Sequence, residues 1–251
     1  MKIRIKFKKY GSMKFIGHLD VMRYFQKVMR RAGVDICYSG GFSPHQVMSF
    51  ASPLGVGVTS EGEYVDIEVH SSESSAVMVK RLNEVMTEGF EAVSWKLLPD
   101  EAKTAMSQVA AADYTVSFRP GYEPAGESAG EFYRRAAALF DAPQVLAEKQ
   151  TKKGAVQVDL KPLVYEIAVR EGASQGQTGP VLFMKVSAGS AANVKPGQVL
   201  DAFYQSLGEE QPAFAHMARR EEVYADLASE AEQERGIHRF IPLEGLGKDI
   251  E

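Results

Sequence analysis

Two histidines stand where their side chains could take part in chemistry. His18 begins a predicted helix, with Asp20 two residues later, and His45 follows the Gly-rich segment SGGFSP. Two such histidines, if close, can act as general acid and base on a phosphodiester, or can bind a metal with Asp20 or Cys37. No spacing in the sequence requires a metal, so the prediction is that none is bound. His18, His45 and Asp20 are therefore the candidate catalytic residues.

The segment over residues 38–64 is rich in Gly, Ser and Pro and also in apolar residues. Its glycines allow unusual backbone angles and Pro44 restricts the turn before His45, which is typical of a loop held in one shape. One interpretation is a pocket for an anion or a nucleotide, formed by Ser43, His45, Ser49 and Ser52. The other is a long connection that packs on Phe42 and Phe50. The apolar candidates for burial are Phe42, Val47, Met48, Phe50, Leu54, Val56 and Val58.

Charge is unevenly distributed along the chain, although the net charge is only −4. Residues 1–38 contain ten basic and two acidic residues, whereas residues 209–251 contain eleven acidic and five basic residues. A basic segment of this kind can be an anion-binding surface or simply a solvated one, and charge alone leaves both interpretations open. The side chains predicted to contact phosphates are Lys2, Arg4, Lys6, Arg23, Lys27 and Arg31.

Composition excludes several classes of protein. The single cysteine among 251 residues permits no internal disulfide and no Cys-ligated iron–sulfur cluster within this chain. Such cysteine usage is typical of a reducing, cytoplasmic compartment. No apolar run is long enough for a transmembrane helix. In the basic N-terminal segment the apolar residues alternate with charged ones, so it lacks the continuous apolar core of a signal peptide. Walker A, GxGxxG, HExxH and GxSxG motifs are absent from the sequence, so no cofactor is predicted.

Hydrophobic periodicity predicts a mixed fold. The alternating segment KIRIKF indicates a half-buried strand, and HLDVMRYFQKVMRRAG has the apolar spacing of a helix. Over residues 1–100 the predicted order is β-α-β-β-α-β, and a similar pattern follows over residues 112–212. The predicted fold is therefore α+β, with tandem ferredoxin-like (split βαβ) sandwiches, antiparallel sheets and an acidic C-terminal tail over residues 213–251.

The second predicted domain contains two further candidate anion sites. Lys152 and Lys153 adjoin Gly154 in a predicted hairpin, where they would contact phosphate or be solvated. Asn193 lies in a Gly-Ser-containing segment shortly before a helix with Pro196 near its first turn. Both segments are compatible with anion binding, and neither is diagnostic of it.

Residues 15–69 resemble the N-terminal half of the radical SAM-linked protein family, which carries a domain of unknown function. The matching residues are Phe15, His18, Asp20, Arg30, Arg31, Ala32, Tyr38, Ser39, Gly41, Phe42, Ser43, Pro44, His45, Pro53, Leu54, Gly57 and Glu63. Further similarity is confined to short segments, at Lys153, Gly154 and Asp159, at Gly189, Ser190, Asn193 and Pro196, and at Arg220 and Tyr224.

The resemblance implies a partner more than a reaction. Members of that family are found beside, or fused to, a cobalamin-binding radical SAM protein, which would carry the radical chemistry. Together with the basic N-terminal segment, this predicts an accessory module, not an enzyme on its own, that binds RNA or a ribosome-related substrate. Its substrate-binding residues would include Tyr38, Phe42, Ser43, His45, Lys152, Lys153 and Asn193. The alternatives are a metal-independent RNA-processing enzyme using His18 and His45, and a protein–protein adaptor.

Overall fold

The chain divides into two compact units. The computed structural model describes residues 1–151, 154–174, 177–190 and 192–251. Unit 1 comprises Met1–Ala111 and Glu222–Glu251, and unit 2 comprises Ala112–Glu221. The chain therefore leaves unit 1 after residue 111 and returns to it at residue 222. Within the described ranges, no helix has both the length and the apolar character needed to cross a membrane.

Unit 1 contains most of the elements predicted for the first hundred residues, together with the end of the chain. Its strands are β1 (Lys2–Lys9), β2 (Met48–Phe50), β3 (Thr59–Glu68), β4 (Phe90–Leu97), the end of β10 (His216–Asp226) and β11 (Phe240–Pro242). Its helices are α1 (His18–Arg31), α2 (Ser75–Val85), α3 (Ala105–Gln108) and α6 (Glu230–Gln233). The first four strands lie in the order β4-β1-β3-β2, and each neighbouring pair among them is antiparallel, as are β10 and β11.

One face of this sheet carries the hydrophobic core of unit 1. Ile3, Ile5 and Phe7 of β1 are buried, as their alternation in the sequence predicts. The ring of Phe25 from α1 lies 4.5 Å from that of Phe7, and Trp95 of β4 is fully buried. The burial of these large side chains from α1 and the sheet supplies the main driving force for folding this unit.

The second face of β1 is also covered, which corrects the prediction of a half-buried strand. Arg4 is fully buried, and its Nε and one Nη donate to the two carboxylate oxygens of Asp66 at 2.8 and 3.0 Å. The remaining contacts of the guanidinium include the Leu243 carbonyl at 3.0 Å and Gln108 Oε1 at 3.0 Å. Segments distant in sequence thus converge on one arginine.

Lys6, on the same face as Arg4, joins the start of the chain to its end. Its ammonium group contacts Glu222 Oε2 at 2.6 Å and Glu244 Oε1 at 2.8 Å. Burial alone would lower the pKa of Lys6, but its hydrogen bonds to Glu222 and Glu244 raise that pKa overall. The Tyr64 hydroxyl donates to Glu222 Oε1 at 2.6 Å, and burial raises the pKa of that tyrosine. Part of the basic N-terminal segment is therefore neutralised by part of the acidic C-terminal one.

Unit 2 repeats the mixed composition with an added pair of strands. Its strands are β5 (Ala111–Phe118), β6 (Leu146–Thr151), β7 (Gly154–Asp159), β8 (Val164–Ser174), β9 (Gln177–Ser187) and the first part of β10. Its helices are α4 (Ala129–Ala138) and α5 (Pro196–Ser206). The strand order is β10-β5-β9-β8, while β6 and β7 form a separate antiparallel pair. At the start of α4, Ser128 and Glu131 form a capping box, which satisfies backbone N–H groups of the first turn.

A histidine lies in the aromatic core of unit 2. His216 Nε2 and the Tyr204 hydroxyl are 3.1 Å apart, and the Phe118 ring centroid is 4.5 Å from that of His216. The Tyr133 hydroxyl lies 3.4 Å from Nδ1 of the same imidazole. Burial lowers the pKa of His216 to about 4. The folded protein therefore holds this side chain neutral at pH values where a solvated histidine begins to take up a proton.

The α+β class predicted from the sequence is confirmed, and the tandem ferredoxin-like arrangement stays a prediction. The segment VDICY, predicted as a strand, forms only isolated bridges at Ile36 and Tyr38. Residues 213–251, predicted as an acidic tail, contain β10, α6 and β11 and a 3-10 helix at Leu243–Leu246. Near the chain end, Leu97 and Lys248 exchange two backbone hydrogen bonds of 2.8 and 3.0 Å.

Asp66→Asn is expected to destabilise the protein by about 3–5 kcal/mol, because it leaves the buried Arg4 without its counter-charge. The measurement is the free energy of unfolding in urea. Asp20→Asn is the matched control, since Asp20 pairs with Arg23 on the surface at 3.3 Å. Loss of about 1 kcal/mol or less is expected there. Equal losses in the two variants would contradict the structural role of the Arg4–Asp66 pair.

His216→Gln is expected to flatten the dependence of stability on pH between about 6.5 and 4. Because the pKa of His216 is lowered to about 4 in the folded state, the unfolded chain takes up the proton first as the pH falls. The stability contributed by the neutral imidazole is therefore complete above pH 6.5 and declines by up to about 1.4 kcal/mol per pH unit below it. Urea unfolding across this range measures the effect.

His70→Gln, at an exposed histidine, is the matched control for that series. The two variants are compared as differences from the unmodified protein at each pH, so that carboxylates titrating in the same range cancel. Parallel curves for His216→Gln and the unmodified protein would contradict the burial of a neutral imidazole.

Candidate functional site

The glycine-rich segment after α1 is an exposed loop with a fixed base. The Cys37 N–H donates to the Glu68 carbonyl of β3 at 2.8 Å, and Val47 N–H donates to the Cys37 carbonyl at 2.9 Å. The Ser39 N–H in turn donates to the His45 carbonyl at 2.8 Å, which closes residues 40–44 into a tight excursion. Gly41 has a φ of +98°, in the region where side chains other than hydrogen are strained. The loop therefore depends on glycine at that position.

Ser39 positions His45 at the base of this loop. Its Oγ accepts a hydrogen bond from the backbone N–H of His45 at 3.1 Å and lies 2.8 Å from Nδ1 of the same residue. With one lone pair already occupied by a donor, the serine can donate its own proton to Nδ1. The imidazole of His45 is exposed. Its contact with Ser39 holds it in one orientation.

Two aromatic side chains of the loop are exposed to solvent. Phe42 is 111% exposed, which contradicts the interpretation in which it anchors the segment by packing, and Tyr38 is 52% exposed. Ser43 is exposed beside them. Phe50, predicted to anchor the same segment, is buried in the core. A phenylalanine presented on a loop whose base is held by backbone hydrogen bonds is available for stacking.

Four cations lie along one side of α1. They are called the basic stripe and are all exposed: Arg23, Lys27, Arg30 and Arg31. Their spacing of i, i+4, i+7 and i+8 places them within one helical face, opposite the buried Phe25, Val28 and Met29. The predicted site residue Asp20 pairs with Arg23 at 3.3 Å, but both side chains are more than half exposed, so the pair is weak.

A backbone carbonyl of α1 links the loop to the basic stripe. The carbonyl of Gln26 accepts from Gln46 Nε2 at 3.3 Å and from Arg30 Nε at 3.4 Å. Gln46 is buried and forms a bridge with Tyr38. The base of the loop and the basic stripe therefore meet at this carbonyl. The exposed aromatic residues of the loop and the basic stripe are together called the candidate interface.

Three of the basic residues of β1, namely Lys2, Arg4 and Lys6, do not contribute to this surface. Arg4 and Lys6 are engaged with Asp66, Glu222 and Glu244 as described above. Lys2 Nζ donates to the carbonyls of Asp100 at 2.6 Å and Ala102 at 3.2 Å. Predicted as phosphate contacts, these side chains instead hold segments of unit 1 together, and Arg4 has no exposed surface with which to meet a ligand.

His18 and His45 border different cavities. The His18 ring lies 5.4 Å from that of Phe50 and lines a small cavity with Lys9 and Glu63. Burial, with the nearby charge of Lys9, lowers the pKa of His18. His45 instead borders a larger cavity on the edge of the sheet. The structure thus offers no contact through which the two histidines would act as an acid–base pair.

The remaining predicted residues lie elsewhere. Asn193 is exposed in unit 2, three residues before α5. Lys152 and Lys153 fall outside the described residues. Over the described part of the chain, no group of three or more His, Cys, Asp or Glu side chains is placed to bind a metal ion.

Gln46 and Arg30 are residues of the interface that the sequence-based site prediction omits. Arg30 belongs to the helical pattern that selects Arg23, Lys27 and Arg31, and this spacing identifies it. Gln46 has no comparable signal, because a polar residue between His45 and Val47 gives no indication that it is buried.

Comparison with known proteins identifies a family for this chain. The model of a family described as "uncharacterized protein conserved in bacteria (DUF2344)" matches residues 2–196. The chain belongs to this family. No curated protein matches it.

The family match covers the whole candidate interface and most of unit 2. It includes α1, the Gly-rich loop and all strands up to β9, and it ends at the first residue of α5. The family description does not mention a radical SAM protein or RNA. These parts of the sequence-based interpretation stay predictions.

Gly41→Ala is expected to destabilise the protein by about 1–2 kcal/mol, because alanine at a φ of +98° is strained. Gly40→Ala is the matched control. Neither glycine has a neighbouring heavy atom within 4 Å of an added Cβ, but only Gly41 has a positive φ. The control is therefore expected to be neutral or slightly stabilising, by up to about 1 kcal/mol. Urea unfolding of both variants measures the difference, and equal effects would contradict the loop conformation.

Proposed function

We propose that this protein is a binding module that holds single-stranded RNA on the candidate interface. The observation that carries the proposal is the fully exposed Phe42 on a loop whose base is held by hydrogen bonds, one of them from Gln46 to the carbonyl that Arg30 also contacts. Solvent exposure of a phenylalanine is unfavourable, and a ligand that covers it recovers that free energy.

The two components of the interface match the two components of a nucleic-acid strand. Aromatic side chains stack on unpaired bases, which contributes about 1–3 kcal/mol per base and depends little on sequence. Exposed arginines and lysines contact phosphates, so affinity falls as salt concentration rises. Tyr38 and Phe42 supply the first function, and the basic stripe supplies the second. RNA is favoured over duplex DNA because the loop presents a stacking surface rather than an element shaped for a groove.

The proposed partner is a cobalamin-binding radical SAM protein. This part of the proposal is supported by the resemblance of residues 15–69 to the radical SAM-linked family and by the single cysteine of the chain. A protein with one cysteine does not carry the usual Cys ligands of an iron–sulfur cluster, so radical chemistry would belong to the partner. The module would present the RNA, in the cytoplasm, to that enzyme.

Each unit is further proposed to be a ferredoxin-like sandwich. In unit 1 the sequence of elements β1-α1-β2-β3-α2-β4 is arranged with the strand order β4-β1-β3-β2. In unit 2 the elements β5-α4-β8-β9-α5-β10 are arranged in the order β10-β5-β9-β8, with β6 and β7 as an insertion. Both orders correspond to 4-1-3-2, the order expected when two split βαβ units interlock. Folds of this kind host many functions, so the function rests on the interface rather than on the fold.

Phe42→Ala is expected to weaken binding of a single-stranded RNA oligonucleotide by about 1–3 kcal/mol, the contribution of one stacked base. Fluorescence anisotropy of a labelled oligonucleotide measures the affinity at several salt concentrations. Phe15→Ala is the matched control, because Phe15 is also exposed, at 65%, but lies outside the loop. The slope of affinity against salt should be unchanged in Phe42→Ala, since no charge is altered.

Lys27→Glu tests the other half of the interface in the same titration. It is expected to weaken RNA binding. The slope of the logarithm of affinity against the logarithm of salt concentration should fall in magnitude by about one or more. Lys80→Glu, at an exposed lysine of α2, makes the same change of charge elsewhere in unit 1. The proposal would be wrong if the protein bound no RNA, or if each variant matched its control.

A further inference from the structure

A cavity next to the loop lies at the edge of the unit 1 sheet. Its volume is about 350 Å³, and it is bounded by β2 and β3 on one side and residues 98–104 on the other. Ser39 and His45 stand at its rim. This size falls within the range of small-molecule sites in proteins, about 300–1,000 Å³.

The walls of the cavity are held in place by hydrogen bonds rather than by packing alone. The Leu98 N–H donates to the Lys2 carbonyl at 2.9 Å, and Lys2 Nζ donates to the carbonyls of Asp100 and Ala102. The Ala105 N–H donates to Asp66 Oδ2 at 2.6 Å, which fixes the other end of the segment. The cavity is thus preformed, and a ligand would meet no large ordering cost on entering it.

The lining combines an apolar wall with charges of both signs. Val47, Met48 and Leu98 supply the apolar part. The exposed carboxylate of Glu68 is an acceptor for N–H donors, while Lys103 and the imidazole of His45 can donate to an anion. A purely apolar ligand would leave the charges unsolvated, and an inorganic anion would leave the apolar wall uncovered. A suitable ligand has a flat ring, N–H groups on its edge and an anionic end.

We infer that this cavity binds a single nucleotide, with its base against the apolar wall and its phosphate toward the cationic side chains. A free mononucleotide and one nucleotide of an RNA strand share this chemistry. The second source rests on the proposed function, because Ser39 and His45 at the rim are also the base of the loop that presents Phe42. A strand stacked on Phe42 could place the neighbouring nucleotide in the cavity.

The experiment is a calorimetric titration of the full chain with AMP, GMP, CMP and UMP in turn, followed by RNA titration of the same samples. Ala102→Trp fills the cavity, because Ala102 lines it. Ala76→Trp, at an exposed position of α2, is the matched control. His45→Ala is a second variant that removes a polar group from the rim without adding bulk, so that the test does not depend on whether tryptophan is tolerated.

Binding of at least one mononucleotide would support the inference with a free nucleotide as the ligand, provided that the cavity variants weaken it. We expect affinity to fall about tenfold or more in Ala102→Trp, to be reduced in His45→Ala and to be retained in Ala76→Trp. If no mononucleotide bound, a similar loss of RNA affinity in Ala102→Trp and His45→Ala alone, with an unchanged salt slope, would support it with RNA as the source.

The inference would be overturned if no mononucleotide bound and the cavity variants had the same RNA affinity as the Ala76→Trp control. This holds even if Phe42→Ala and Lys27→Glu weaken RNA binding. Conversely, mononucleotide binding in a protein that binds no RNA would support the cavity inference and contradict the proposed function. The two proposals therefore fail independently.

Discussion

The buried ion pair between Arg4 and Asp66 determines which segments can cover the second face of the unit 1 sheet. Removing both charges from water is unfavourable, and the pair is tolerated only because the remaining donors of the guanidinium are also satisfied. Those partners come from α3, through Gln108, and from the C-terminal 3-10 helix, through the Leu243 carbonyl. A segment that offered no acceptor there would leave donors of the buried guanidinium unsatisfied, so the pair favours this packing.

This arrangement separates two groups of basic residues that the sequence presents together. The basic side chains of β1 are paired with carboxylates and carbonyls within unit 1, whereas those of the basic stripe on α1 are exposed to water. The separation has a simple cause. A strand in the middle of a sheet has both faces available for covering, but a helix packed on one side of that sheet always has an outer face. Positive charge near the N-terminus is therefore structural on the strand and available to a ligand on the helix.

The core face of unit 1 and the basic stripe could be predicted from the sequence because both depend on local periodicity. Alternation in β1 identifies Ile3, Ile5 and Phe7, and helical spacing identifies Arg23, Lys27 and Arg31. Burial of Arg4 and Lys6 could not be predicted in this way. Alternation assigns residues to faces, but it does not say that residues more than 200 positions away, such as Glu222 and Glu244, cover one of them.

In the loop, an apolar residue that is a candidate for burial is instead exposed. Hydrophobicity predicts that Phe42 is buried like Phe50, yet only Phe50 points into the core. The difference lies in the backbone, because the closed excursion between Ser39 and His45 carries Phe42 away from the sheet. The same constraint places His45 at a different cavity from the one that His18 lines, although their residue types alone suggest a catalytic pair. Residue type indicates what a side chain can do, and backbone hydrogen bonds decide which side chains meet.

The interrupted course of unit 1 also has a consequence for biosynthesis. When the first 111 residues have left the ribosome, Lys6 still lacks both of its carboxylate partners and Arg4 lacks the Leu243 carbonyl. Unit 2, by contrast, is continuous in sequence and can fold as soon as it emerges. At typical elongation rates the nascent first segment must wait about 7–30 s for its closing residues. The unit whose synthesis begins first is therefore the last to be completed, and its charged strand lacks these partners until then.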